Sequence, residues 1–158
     1  MMLFSTTSLL VAATIATIAS ARPATIDLAK RAGGPAIVPV PATCTVTSPL
    51  PDSSTTSYIP VPSTNDILLY NAYYPSFSTN KTAMAEQCLQ QCYGYGNHVE
   101  CKTAFWAENL VVPAGYYGTP GGQLSTGCIM FSQALTSSDF VAAPEGQATD
   151  AFAGTIAC

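Results

Sequence analysis

The chain has 158 residues, with five Lys and Arg against nine Asp and Glu, one His and six Cys, and a net charge of −4. That length leaves room for one domain after processing. So acidic a balance lacks the basic footprint that nucleic acid or an anionic membrane surface requires.

The amino terminus reads as a secretory signal over residues 1–21. An apolar run from Leu9 to Ala19 ends in Ala19-Ser20-Ala21, the small-x-small pattern of a cleavage site, although no Lys or Arg precedes the run. The run is too short and too rich in Thr and Ala to span a bilayer. Residues 22–31 read as a propeptide ending at Lys30-Arg31, the sole dibasic pair, and the Ala32-Gly33-Gly34-Pro35 that follows has no helix to hide the bond. Cleavage there leaves Lys81 and Lys102 as the remaining basic residues.

In an oxidising compartment six cysteines imply three disulfides, whose connectivity the spacing does not choose. Zinc is disfavoured: His98 is the one histidine and no CxxC occurs.

Residues 32–62 are rich in Pro, Ser and Thr and predict extended backbone, with a short edge strand around Cys44. Ser53 to Ser57 is a hydroxyl-rich run open to O-mannosylation if the source is a fungus. Ile67 to Tyr74 predicts a strand stopped by Pro75, with Leu68, Tyr70, Ala72 and Tyr74 sharing a face. A helix is expected over Lys81 to Tyr93, capped by Asn80 or Thr79 and ended by Gly94 and Gly96. Its apolar face is Met84, Ala85, Cys88, Leu89 and Cys92, so Cys88 and Cys92 face the core as structural rather than redox cysteines. Asn80-Lys81-Thr82 is an N-glycosylation sequon, placing a glycan on Asn80 at the start of that helix. Cys101 to Trp106 predicts a second strand with Cys101, Thr103 and Phe105 on one face. Gly115 to Gly122 predicts a long loop, Cys128 to Phe131 a third strand, Asp139 to Ala143 a short segment, and Ala151 to Cys158 a closing strand.

This order resembles the PAN/apple module in a secreted, fungal form. The features that carry it are a helix bearing CxxxC, then CKTAFW, then CIMF. The resemblance covers about Cys44 to Cys158, and the domain proper is placed at 63–158 with Cys44 tied to it. It implies an α+β fold, a twisted antiparallel sheet cradling one helix, stapled by Cys88–Cys128, Cys92–Cys101 and Cys44–Cys158, with no catalytic centre and no cofactor. The insertion from Gly115 to Gly127 departs from the module, so no loop-borne property is carried over.

The residues themselves offer little chemistry. His98 sits in a turn without a marked nucleophile, Glu100 and Glu108 are a carboxylate pair of no special spacing, and no phosphate loop is present. Eight tyrosines are many for a small domain, and the tyrosine ring suits stacking on sugars or docking on proteins. Strand packing accounts for Tyr70, Tyr74 and Trp106. Tyr116 and Tyr117, framed by glycines, are the expected contact residues, with Tyr73 and Tyr95 beside them. The expected function is non-catalytic recognition of an extracellular glycan or protein at a cell wall or host surface. The alternatives are a structural or effector-like wall glycoprotein without a defined pocket and, third, a small hydrolase.

Overall fold

The computed structural model describes residues 34–52 and 55–158. The signal expected over residues 1–21, the propeptide and cleavage site expected at 22–31, and Ser53 and Ser54 of the hydroxyl-rich run lie outside the described residues.

The Pro-rich amino-terminal segment belongs to the domain rather than preceding it. Residues 34–38 lie against the carboxyl-terminal half of the helix, where Val38 N–H donates to Gln90 O (3.2 Å) and Gln91 Nε2 to Pro35 O (3.4 Å). The chain then forms β1 (Thr45–Thr47) and β2 (Tyr58–Pro60), joined by a 3-10 turn (Pro62–Ile67) to β3 (Leu68–Tyr74). Helix α1 (Lys81–Tyr93) follows, then β4 (Thr103–Val111), β5 (Leu124–Phe131), β6 (Phe140–Ala142) and β7 (Thr149–Ala157). Five strands make one antiparallel sheet in the order β1-β7-β4-β5-β3, while β2 and β6 pair as a separate ribbon. Pro60 is tolerated because a two-stranded ribbon leaves one side of each strand unpaired.

Helix α1 forms where its signals lie. Asn80 Oδ1 accepts the Ala83 N–H (3.0 Å), which satisfies one of the orphan donors of the first turn. The buried side chains of α1 are Met84, Ala85, Cys88, Leu89 and Cys92, one continuous stripe. They pack on one sheet face against Ala104, Trp106, Cys128, Met130 and Ile156. Three bridges staple this layer. Cys88 joins α1 to Cys128 in β5, Cys92 joins α1 to Cys101 just before β4, and Cys44 joins the start of β1 to Cys158 after β7. The molecule is thus a small α+β domain with one main helix on an antiparallel sheet and three disulfides.

The other sheet face is buried too. Phe105, Ala107, Leu110, Phe131 and Ala153 pack under Leu135, Phe140 and the β2–β6 ribbon. A sheet covered on both sides buries consecutive residues, which is why Thr103 to Ala107 are all buried.

Two face assignments made from alternation are corrected. Leu68 pairs with Phe131 and Tyr70 with Met130, so β3 carries one extra residue at Leu69. This bulge moves Leu68 to the Phe105 face and leaves Tyr70 and Tyr74 on the helix face. Cys101 does not share a face with Phe105 either. The strand begins at Thr103, and Cys101 lies in the helix-side core, where its bridge to Cys92 holds it. The strands flanking the Gly-rich loop are also longer than expected. β4 runs on to Val111 and β5 starts at Leu124, so the loop is the tip of a β4–β5 hairpin, closed by Val112 N–H to Gln123 O (2.9 Å).

Candidate functional site

The residues expected to carry contact separate into two neighbourhoods. Tyr73, Tyr116 and Tyr117 come together at the hairpin tip. β3 is the last strand of its sheet, and on its open edge the Tyr73 N–H donates to the Tyr116 hydroxyl (3.0 Å). Tyr116 therefore blunts an edge that would otherwise offer unpaired donors. The Tyr73 and Tyr116 rings meet edge to face at 5.0 Å, and Tyr116 and Tyr117 at 4.6 Å. Burial first, and then the neighbouring phenol of Tyr116, push the Tyr73 hydroxyl above its ordinary pKa of 10.0. Burial also raises Tyr116, partly offset by the Tyr73 N–H.

Tyr117 ends this ladder at 84% exposure. Its backbone is left-handed (φ 45°, ψ 36°), between Gly115 at φ 83° and Gly118 at φ 76°. The glycines adopt that region freely, whereas a tyrosine does so at a cost. Val111 and Leu124, cross-strand partners at the base of the tip, are exposed by 42% and 52%. Tyr95 lies elsewhere. It packs on the helix-side core and lines a cleft of about 290 Å³ with Gly34, Pro35, Tyr70, Gly94 and Gly96.

The residues considered for catalysis have structural partners. His98 stacks on Tyr93 (4.9 Å), and its Nδ1 lies 2.8 Å from Tyr93 O in a tight turn at φ 64°. Glu108 pairs not with Glu100 but with Lys81, Nζ to Oε2 at 2.9 Å, and accepts the Ser76 hydroxyl at 2.8 Å. Lys81 and then Ser76 hold the Glu108 carboxyl below its ordinary pKa. Asp150 completes the cluster at 2.5 Å from Lys81 Nζ. Its position follows from an irregularity in the β4–β7 ladder between Trp106 and Glu108, where Asp150 takes φ 54°.

This charged cluster edges a groove that sequence reasoning missed. About 530 Å³ of space lies between α1 and β7, floored by Val46, Ala85, Leu89, Trp106 and Phe152, with Lys81, Glu86 and Asp150 on its rim. Gly154 makes the floor possible, because a Cβ there would lie 2.9 Å from Leu89 Cδ1 and 3.1 Å from Phe152 Cζ. No sequence signal joins residues 46, 89 and 152, so only the folded chain reveals the groove. Asn80, the sequon residue, is exposed beside it and uses Oδ1 for the cap, leaving its Nδ2 clear of that bond.

Among the described residues no group of three or more His, Cys, Asp or Glu is placed to hold a metal ion. Among the same residues no helix is long and apolar enough to cross a membrane. No protein-family model matches the chain, and no curated protein or solved structure matches it.

Proposed function

We propose that this chain is a secreted, non-catalytic recognition module of the PAN/apple kind, which binds an extracellular glycan or protein at a cell wall or host surface. The observation that carries the reading is Tyr117. It is an aromatic ring presented to solvent on a left-handed backbone, at the end of a ladder whose inner members are tied to the sheet edge. Strained and exposed residues held by an otherwise satisfied scaffold are the ones folding stability does not explain. Three bridges and the helix-on-sheet layer support the module assignment and an oxidising compartment. The partners already taken by His98 (Tyr93) and by Glu108 (Lys81 and Ser76) favour binding over hydrolysis.

A structural wall glycoprotein is the second reading, favoured by the exposed Asn80 sequon. Retention of the secreted protein on cell-wall polysaccharides and on immobilised surface proteins separates the two. Saturable retention that Tyr117→Ala weakens supports recognition. Retention by no surface, with a glycan on Asn80, would support the structural reading instead.

A further inference from the structure

The hairpin tip differs from the rest of the surface in its charge. The thirty residues from Asn109 to Ser138 contain no Asp, Glu, Lys, Arg or His, and neither do residues 67–80. These two stretches supply β3, β5 and the whole tip, so one edge of the molecule is built without an ionisable group other than tyrosine. Four of the charged residues, Lys81, Glu86, Glu108 and Asp150, are gathered around the groove between α1 and β7.

We infer that the Tyr73–Tyr116–Tyr117 edge is a platform for a neutral polysaccharide. The inference rests on the recognition reading above and names the ligand class. A pyranose without carboxylate, sulfate or ammonium presents a flat face of C–H groups and a rim of hydroxyls. The face stacks on an exposed aromatic ring, and the rim needs neutral donors and acceptors rather than counter-charges. The tip supplies both: the Tyr117 ring, its hydroxyl and the Gln123 amide. An anionic polymer would find no cation here, and neither Arg of the chain lies within residues 34–158. A lipid surface is disfavoured for the same reason, because interfacial segments combine apolar anchors with Lys or Arg for headgroups. The ladder is also set before binding. Tyr116 is fixed by the Tyr73 N–H, and the Tyr117 ring meets the Tyr116 ring edge to face, so the inner part of the platform has little freedom to lose on stacking.

The test is retention of the full secreted protein on insoluble chitin, β-glucan and mannan, against polygalacturonate and heparin as anionic probes and isolated surface proteins as a third arm. The inference expects saturable retention on at least one neutral polymer. That retention should persist at about 1 M salt, where charges are screened beyond about 3 Å. Tyr117→Ala should weaken it about tenfold, the worth of one aromatic contact, while Tyr117→Phe keeps it, and unchanged near-ultraviolet circular dichroism shows that both variants are folded. Retention only on anionic polymers, retention lost in salt, or neutral-polymer retention indifferent to Tyr117→Ala would overturn the inference. Tyr117-dependent binding to a surface protein, with no polysaccharide retained, would sink the neutral-glycan inference and leave the recognition reading standing. Failure in all three arms would remove both.

Discussion

The two surfaces of this domain that invite a ligand are built on opposite principles. The groove between α1 and β7 has an apolar floor continuous with the core and a charged rim, where the single ammonium of Lys81 meets the carboxylates of Glu108 and Asp150. The hairpin tip has no ionised group, and its outermost ring touches the core only through its neighbours. In the groove, shape and stability are the same thing, because Trp106 and Leu89 serve both. At the tip they are separate. Tyr117 can be removed without opening the core, and its backbone even opposes folding. A binding surface that can be altered without loss of the fold is the one open to specialisation.

The largest expected effect lies on the groove side. Trp106 is 1% exposed, and Trp106→Ala should cost about 3–5 kcal/mol, read as a lowered denaturant midpoint. That is a large share of the stability of a domain of this kind, about 5–15 kcal/mol.

Removing the Cys88–Cys128 bridge as a double alanine variant should cost about 2–5 kcal/mol. The Cys44–Cys158 bridge closes a longer segment, a separation of 114 against 40, yet chain entropy alone makes that difference only about 1 kcal/mol. Cys88 and Cys128 are buried whereas Cys158 is exposed, so the core pair leaves a void as well and should lose more protease resistance. Equal fragility of the two double variants would show that loop closure outweighs packing.

The sharpest contrast with Trp106 is Tyr117→Gly. Glycine accepts the left-handed backbone, so stability should stay level or rise by up to about 1 kcal/mol, read as a thermal midpoint that does not fall, while retention on the bound surface falls. A loss of stability comparable with Trp106→Ala would mean that the tip is part of the core after all.

The smallest effect concerns the ion cluster. Lys81 favours the ionised form of Glu108, so the folded state holds that proton more weakly than the unfolded chain does. The contribution is present above the ordinary value of 4.5 and is lost as pH falls through the lowered folded pKa. Exposure to solvent keeps it small. Lys81→Met should move Glu108 back toward 4.5 in a carboxyl NMR titration and flatten the acid limb of the stability curve. An unchanged Glu108 titration would mean that the Ser76 hydroxyl, not the ammonium, sets its acidity.

How much of this was legible varies with the range of the interaction. Helix α1 could be read nearly to the residue because its signals are local: the Asn80 cap, the five-residue apolar stripe and the glycines after Tyr93. Face assignments failed where a distant partner intervened. The bulge at Leu69 is defined only by pairing with β5, and Cys101 is turned by its bridge to Cys92. Tyr116 and Tyr117 are legible as candidates because glycines frame that pair at the tip. Nothing local separates Tyr73 from Tyr95, and the fold brings Tyr73 to the tip while it sends Tyr95 to the Gly34–Tyr70 cleft.

By itself the amino-acid sequence determined the acidic, nearly Arg-free composition, the even cysteine count with three bridges to form, the helix from Lys81 to Tyr93 and the charge-free stretches. Each is a property of composition or of residues within a few positions of one another. Only the tertiary structure decided that the sheet is buried on both faces, that Tyr116 caps the β3 edge, and that Val46, Leu89 and Phe152 meet over Gly154. The last two depend on contacts between residues forty or more positions apart, and all three on tertiary packing that local propensity does not encode.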